Sequence, residues 1–291
     1  MKLHHLTSTV LIPDGETEER ALRRTTHLGI GAHHDDLEFM AFHGILSCYR
    51  KEEEWFTGVT CTNGAGSSRT GRFANFSDEE MRDIRREEQN LAARIGQFGA
   101  MIQLDHSSAA VKDFRSTELR DDLIAVLSAT LPQVVYTHNL ADKHDTHIGV
   151  AVAAIEAMRS LPPGQRPSAV FGCEVWRDLD WMPDAEKTVH EVGGFDHLAA
   201  ALNGVFDSQI GGGKRYDLGI IGRRHANATF SESHAADSSD AVALAMNLTP
   251  LIADPSLDIL AFIDGFIERF RNDVRNKLER RLGRSGRDGN P

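Results

Sequence analysis

The stretch LGIGAHHDDLEFMAFHGI, residues 28–45, decides the fold of this chain because its character changes in the middle. Residues 28–32 are apolar or glycine and are typical of a buried strand, whereas residues 37–49 have the pattern of a helix. Two histidines and three carboxylates lie between the two segments or at the start of the second: His33, His34, Asp35, Asp36 and Glu38. Ligands in parallel α/β sheets bind outside the carboxyl ends of the strands, so this cluster marks a candidate site.

Apolar runs and helical patterns alternate along most of the chain. The predicted strands are 28–32, 55–62, 101–104, 134–137 and 169–176, and the predicted helices are 37–49, 78–95, 116–130 and 146–160. This alternation predicts an α/β fold, with a Rossmann-like, mostly parallel sheet and helices on both faces. Residues 180–255 are less regular and allow no assignment. Apolar residues at helical spacing from Ile259 to Leu278 predict a long terminal helix.

The composition limits the classes of function. Hydrophobic residues make up 41% and charged residues 26% of the 291 residues, as in ordinary globular domains. The formal net charge of −11 at pH 7 opposes a role in binding nucleic acid backbones. Cys48, Cys61 and Cys173 lie far apart without a CxxC spacing, which predicts reduced thiols in the cytoplasm. We find no signal-peptide pattern and no apolar run long enough to span a bilayer.

A second cluster follows the fourth predicted strand. The segment DKHDTH, residues 142–147, contains His144 and His147, which are three residues apart and share one face of the helix that begins there. Two imidazoles and one carboxylate with an open position suit a catalytic zinc site, and a further unligated carboxylate can take a proton from bound water. For any single histidine or aspartate, a solvated loop residue or a helix cap is the simpler interpretation.

The glycines of the first stretch also require that phosphate binding be considered. Gly29 and Gly31 begin like a dinucleotide fingerprint, but His34 stands in place of the third glycine. Two adjacent aspartates at the helix start would repel a pyrophosphate. We therefore reject a dinucleotide site.

Both clusters resemble the motifs of one enzyme family. AHHDDLE, residues 32–38, is similar to the A-H-P-D-D-x-E motif of the LmbE/PIG-L deacetylases, and DKHDTH is similar to their later H-P-D-H motif. Weaker matches follow in the family's order: Thr62-Asn63-Gly64, then Arg85 with Glu88, then Asp105. The resemblance covers about residues 26–160. It implies a metal-dependent N-deacetylase that hydrolyses a linear amide, removing the acetyl group of an N-acetylglucosamine-type sugar or its conjugate.

Carried over residue by residue, the resemblance assigns the central roles. His33, Asp36 and His147 would be the ligands of Zn²⁺, with Fe²⁺ or Co²⁺ as alternatives. Asp35 would be the general base. His144 would stabilise the oxyanion or protonate the leaving amine, and the sequence does not choose between these.

The remaining matches imply supporting roles. Arg85 and Asp105 would contact the substrate. Glu38 would orient the ligands from behind. The family's Pro-Asp between the two histidines is Asp145-Thr146 here, so the carboxylate that supports a histidine would be Asp142 or Asp145.

We expect a single catalytic domain of this family over residues 1–291. Its core would cover about 26–177 and a substrate-shaping, helical extension about 178–282, with a disordered tail at 283–291. The expected partner is a small N-acetyl sugar or a glycoconjugate. The basic terminal helix is expected to pack on the body or on a second subunit of a homo-oligomer, because it has few aromatic membrane anchors.

Two segments outside the motifs are candidates for the substrate pocket. The glycine- and serine-rich loop 63–71 is either a rim over the substrate or an ordinary surface loop. Trp176, Arg177 and Trp181 would either form a wall that stacks on a sugar or cap the core.

Two other classes of function compete with hydrolysis. A site of two histidines and one carboxylate also suits a non-heme Fe(II) oxygenase, but the alternating strands and helices oppose the β-rich core that usually carries it, an argument by analogy. A non-catalytic sugar- or nucleotide-binding α/β protein would need neither a tight metal nor Asp35 beside the ligands.

Overall fold

A single sheet organises the part of the chain that the computed structural model describes, residues 1–284. Its eight strands are β1 (Thr9–Leu11), β2 (His27–Gly31), β3 (Phe56–Thr62), β4 (Ala100–His106), β5 (Val134–His138), β6 (Ala169–Cys173), β7 (Lys187–Glu191) and β8 (Val242–Asn247). They are ordered β1-β4-β3-β2-β5-β6-β8-β7. The strands from β4 to β6 are parallel, while β1 and β8 run antiparallel to their neighbours. The predicted α/β fold is therefore confirmed.

Helices cover both faces of the sheet. Within residues 1–284 they are α1 (Glu18–Arg23), α2 (Asp36–Met40), α3 (Phe42–Cys48), α4 (Asp78–Ile95), α5 (Ser108–Lys112), α6 (Glu118–Thr130), α7 (Asp145–Ser160), α8 (Asp196–Gly204), α9 (Asp207–Ile210), α10 (Tyr216–Thr229), α11 (Thr249–Ala253) and α12 (Ile259–Arg281). The helix predicted at 37–49 is two helices, because Ala41 leaves the helical region with φ −102° and ψ 18°. After this break Gly44 packs on Tyr136, where a Cβ would lie 2.5 Å from the ring.

The glycines of β2 allow a helix to lie directly on the strand. Leu28 and Ile30 face the hydrophobic core on one side of the sheet. A Cβ on Gly29, which faces the other side, would lie 2.9 Å from the side chain of Leu37 on α2. Close packing thus explains the glycines that resemble a phosphate-binding motif, and it places α2 at the carboxyl end of the central strand.

Residues 180–255, which the sequence does not assign, extend the same sheet. β8 pairs with β6, and β7 pairs with β8. The predicted strand 169–176 ends at Cys173. The residues that follow, up to Trp176, lead away from the strand.

The predicted terminal helix exists as α12, and only its first half packs on the protein. Ile263 and Phe266 lie against the hydrophobic core, whereas Val274 and Leu278 are 40% and 57% exposed. Among residues 1–284, no helix combines the length and apolarity needed to cross a membrane. Most of the expected disordered tail, residues 285–291, lies outside the described residues.

Candidate active site

The sheet order brings the two sequence clusters together. β2 lies between β3 and β5, so the strand order reverses direction at β2. Such a switch point leaves a crevice at the carboxyl ends of the strands. The His33–Asp36 segment follows β2, and His144 and His147 lie in the segment that follows β5. Residues more than a hundred positions apart therefore meet at one edge of the sheet.

Three side-chain atoms converge in this crevice. The Nδ1 atom of His33 lies 3.2 Å from Asp36 Oδ2 and 3.1 Å from His147 Nε2. His147 Nε2 lies 3.4 Å from Asp36 Oδ2. Ligand atoms that bind one zinc ion tetrahedrally at about 2.0–2.1 Å are about 3.3 Å from each other. The spacing of the three atoms fits a single ion of this size.

Carboxylates determine the protonation of this cluster. Burial alone would raise the pKa of Asp36, but His147 and His138 outweigh it and hold that pKa well below its usual range. Burial lowers the pKa of His147, and Asp36 and Asp142 outweigh this and raise it to about 9. An ionised carboxylate beside two imidazoles attracts a cation, and a bound divalent ion would replace the proton of His147.

Asp142 orients His147 from behind. Its Oδ2 lies 3.2 Å from His147 Nδ1, so the ring can donate from Nδ1 and keep the Nε2 lone pair for a ligand role. The same oxygen accepts from the backbone N–H of Trp176 at 3.3 Å. Asp145, the other carboxylate considered for this position, is exposed at the first residue of α7.

Asp35 lies beside the three converging atoms in an unusual conformation. Its φ is +100°, a value that costs a non-glycine residue about 1–3 kcal/mol. Its carboxylate is buried, and among the described residues its Oδ2 has no hydrogen-bond partner. Burial and the neighbouring Asp36 hold the pKa of Asp35 well above its usual range. The carboxylate is thus available to accept a proton.

A pair of buried side chains holds the backbone of Asp35. The side-chain amide of Gln89 on α4 accepts from the Asp35 N–H at 3.3 Å and donates to Glu38 Oε1 at 2.9 Å. Burial raises the pKa of Glu38 to about 8. Glu38 therefore acts on Asp35 through Gln89. Gln89 is not among the predicted site residues, although its spacing of four from Arg85 places both on one buried face of α4.

His138 begins the polar cluster after the fourth predicted strand and is a second residue without a predicted role. Its Nε2 accepts from the backbone N–H of Ala32 at 2.9 Å and lies 3.4 Å from Asp36 Oδ2. The ring stacks on that of His147 with centroids 3.8 Å apart. The signal that could have found it is a histidine at the last position of a buried strand beside β2.

The predicted substrate contacts lie in different surroundings. Arg85 is fully buried, and among the described residues its guanidinium nitrogens have no hydrogen-bond partner. A Cβ on Gly64, in the cavity wall, would lie 2.5 Å from Arg85 Cδ. Asp105 is paired instead with Arg82 at 2.8 Å and Arg86 at 3.3 Å.

A cavity of about 570 Å³ opens over the converging side chains. His33, Asp35, Asp36 and His144 line it, and so does part of the glycine- and serine-rich loop 63–71. Of the three residues proposed as a sugar-stacking wall, Trp176 lines the cavity, with its ring 6.1 Å from that of His144. Trp181 packs against the core, and Arg177 is exposed.

The fold is shared with several solved structures. The N,N′-diacetylchitobiose deacetylase of Pyrococcus horikoshii superposes with a TM-score of 0.61 at 15% identity, over 83% of this chain and 90% of that one. The conserved protein TT1542 of Thermus thermophilus gives 0.60 at 17%, over 80% and 98%. GalB, the 4-carboxy-2-hydroxymuconate hydratase of Pseudomonas putida, gives 0.57 at 19%, over 77% and 95%. At these identities the likeness shows the fold.

Part of the sequence matches a known protein family. No curated protein matches the chain significantly. Residues 28–158 match the family model described as PIG-L: GlcNAc-PI de-N-acetylase. Both motifs, residues 32–38 and 142–147, lie inside this segment, and their side chains meet in one crevice. Residues 28–158 of the chain therefore form a PIG-L (LmbE-like) family domain.

Proposed function

We propose that this protein is a metal-dependent N-deacetylase that hydrolyses the acetamide of an N-acetylated sugar or its conjugate. One observation carries the proposal: three candidate ligand atoms 3.1–3.4 Å apart lie on the wall of a cavity, next to Asp35 Oδ2, which has no hydrogen-bond partner within residues 1–284. The family match and the deacetylase of the same fold support the choice of reaction.

His33, Asp36 and His147 would hold the metal, with Asp142 keeping His147 in its ligand tautomer. The two imidazoles and one carboxylate suit Zn²⁺, and Fe²⁺ or Co²⁺ could take the same ligands. When bound, such an ion supplies Lewis-acid chemistry, lowering the pKa of a water and polarising a carbonyl.

Asp35 would act as the general base. Its free Oδ2 can accept a proton from the attacking water, and the raised pKa favours keeping that proton until the nitrogen leaves. Gln89 and Glu38 hold its backbone, so the carboxylate need not reorganise during the reaction.

His144 would act on the oxygen or the nitrogen of the amide. Its ring lies on the cavity wall, 4.8 Å from that of His147 and 4.9 Å from that of His33. From there it can donate a hydrogen bond to the developing oxyanion or a proton to the departing amine.

The surrounding side chains would bind the sugar. The indole of Trp176 offers an apolar face beside His144, and the buried guanidinium of Arg85 offers unused donors behind Gly64. Of the two predicted substrate contacts, Asp105 is already paired with two arginines, so we propose only Arg85 as a further contact to the sugar.

Two other reactions would use the same groups. A non-heme Fe(II) oxygenase needs the three ligands but has no evident use for Asp35. A hydratase also activates water, and GalB has this fold. The position of Asp35 therefore favours hydrolysis over oxidation, and an assay that follows both reactions separates hydrolysis from hydration.

The test is an amide-hydrolysis screen with the full-length protein. Zinc-loaded protein is incubated with N-acetylated sugars, amine release is measured with and without a chelator, and Asp35→Asn serves as the inactive control. We expect chelator-sensitive amine release from at least one sugar. Zinc-loaded protein that cleaves none of these amides, while consuming oxygen or hydrating an unsaturated acid, would overturn the proposal.

A further inference from the structure

Cationic side chains line the cavity outside the cluster of candidate ligands. Lys112 is the last residue of α5, Lys214 precedes α10, and Arg223 lies within α10. Among the described residues of the lining, the only carboxylates are those of Asp35 and Asp36. Lys214 and Arg223 lie beyond residue 158, outside the segment that matches the family model. The family model therefore does not cover these two residues, whereas Lys112 lies inside the matched segment.

The two lysines are available to a ligand. Within residues 1–284 neither Lys112 nor Lys214 has a carboxylate within 4.0 Å of its ammonium group, although the chain carries 43 acidic side chains against 32 basic ones. Arg223 is partly engaged: it donates to the Val175 carbonyl and lies close enough to Glu174 to lower that carboxyl's pKa against the larger effect of burial. The lysines would make the direct contacts, and Arg223 would add positive potential behind them.

Trp176 fixes where this positive charge lies relative to the reacting groups. The Nζ atom of Lys214 lies 5.6 Å from the centroid of the Trp176 ring, and the same indole lies 6.1 Å from the ring of His144. A sugar against this indole would present its amide toward His144 and a substituent toward Lys214. Lys112 comes from a separate element, α5, so two parts of the fold direct ammonium groups into one cavity.

The charges of the lining do not balance. A divalent ion held at Asp36 would offset the charges of Asp35 and Asp36. Lys112 and Lys214 would then lie without a carboxylate partner among residues 1–284 in a concave site, where low-dielectric walls concentrate their field, with Arg223 behind them beside Glu174. The chain as a whole carries a formal net charge of −11, so a positive cavity contrasts with its surface and selects for anions.

From this arrangement we infer that the substrate carries an acidic group, a carboxylate, sulfate or phosphate, in addition to its acetamide, and that Lys112 and Lys214 bind that group. The inference rests on the proposed deacetylase function for the identity of the reacting bond. The anion subsite itself follows from the lining and can be tested separately.

Paired substrates test the inference. The zinc-loaded protein is assayed with N-acetylglucosamine, its 6-phosphate and 1-phosphate, and N-acetylmuramic acid, which distinguishes phosphate from carboxylate and one attachment point from another. We expect kcat/KM for at least one acidic sugar to exceed that of N-acetylglucosamine by about tenfold or more, as charge-assisted hydrogen bonds would give. Added salt should reduce this ratio.

Charge-removing variants show which residues are responsible. In Lys112→Gln/Lys214→Gln we expect the acidic-to-neutral ratio of kcat/KM to fall about tenfold. Lys51→Gln removes the same charge from an exposed position after α3, at the opposite end of the strands, and should leave the ratio unchanged. The Tm of each variant is measured first, and each lysine is also replaced singly in case the double variant is unstable.

The outcomes separate the subsite from the reaction. If neutral and acidic amides are cleaved alike and the double variant does not change their ratio, the subsite is wrong and the deacetylase stands. If no amide is cleaved, binding of glucosamine 6-phosphate is measured by calorimetry. Binding that weakens about tenfold in the double variant would then support the subsite without the reaction, and binding equal in both proteins would overturn it.

Discussion

Two groups of histidines in this molecule, each with one buried histidine, have opposite properties. We call His33, Asp36 and His147 the ligand cluster, and His43 with His190, stacked at 4.1 Å between α3 and β7, the histidine pair. The pKa of His147 is raised to about 9, whereas burial and the neighbouring His43 lower the pKa of His190 to about 3.

The difference comes from the carboxylates. Asp36 and Asp142 both lie within 3.4 Å of a nitrogen of His147. The histidine pair contacts the Tyr136 hydroxyl, at 2.8 Å from His43 Nδ1, and aromatic rings. Burial makes an imidazole neutral and inert, and an adjacent ionised carboxylate makes it part of a cation site. Stacked histidines alone are therefore a poor sign of a metal centre.

The largest expected effect comes from removing the carboxylate of the ligand cluster. Asp36→Asn removes the proposed anionic ligand and the main attraction on His147. Because changes to residues behind a ligand alone cost about 10–100-fold in metal affinity, we expect a loss of more than about 100-fold and no measurable deacetylation. Zinc content after dialysis and turnover measure this. His190→Phe is the matched control and should keep its zinc. Stoichiometric zinc in Asp36→Asn would show that Asp36 is not a ligand.

The next effect separates metal binding from proton transfer. Asp35→Asn keeps the size and the backbone contact to Gln89 but cannot accept a proton. We expect the bound zinc to remain and kcat to fall about 10²–10⁴-fold, the usual contribution of a general base. Turnover and zinc content are measured on the same preparation. Near-normal turnover would show that another group is the base.

A smaller effect distinguishes the two aspartates of the second motif. Asp142→Asn weakens the acceptor behind His147, so we expect zinc affinity to fall about 10–100-fold. The matched variant Asp145→Asn changes an exposed carboxylate three residues along the motif from Asp142. Competition with a chromophoric chelator measures both. Equal losses in the two variants, or a loss confined to Asp145→Asn, would contradict the geometry around His147.

The sequence could predict that His33, Asp36 and His147 lie close together, because they follow strands of strong pattern. The middle of β2 and the start of β5 are apolar or glycine, and each strand is followed within about ten residues by its histidines and aspartates. The resemblance then supplied the roles. The choice between Asp142 and Asp145 could not be made, because it depends on how the segment before α7 turns under His147.

The roles of the supporting residues could not be predicted from the sequence, for a physical reason. Gln89 and His138 act through partners 54 and 106 positions away, so their roles depend on contacts that the local sequence does not show. β7, with its largely exposed or half-exposed residues, lacks a clear alternation. It is a strand because β8, more than fifty residues later, pairs with it. Only the three-dimensional register reveals such elements.

The smallest effect concerns the histidine pair and the pH dependence of stability. In the unfolded chain His190 titrates near 6.5, and in the folded protein near 3. Between these values the unfolded state binds more protons, so the stabilisation is complete above about pH 6.5 and is lost as the pH falls, by about 2 kcal/mol at pH 5.

Replacing His190 with phenylalanine removes this titration, because phenylalanine carries no ionisable group and can pack on Phe171 and Tyr136. In His190→Phe we therefore expect the free energy of unfolding to fall about 2 kcal/mol less between pH 7 and pH 5 than in the wild type. Urea unfolding at both pH values measures this, with exposed His197→Phe as the control. The same decline in His190→Phe and the wild type would mean that the ligand cluster, or another group, carries the acid sensitivity. The carboxylates beside the ligand cluster would then not explain how the two groups of histidines differ in their contribution to acid sensitivity.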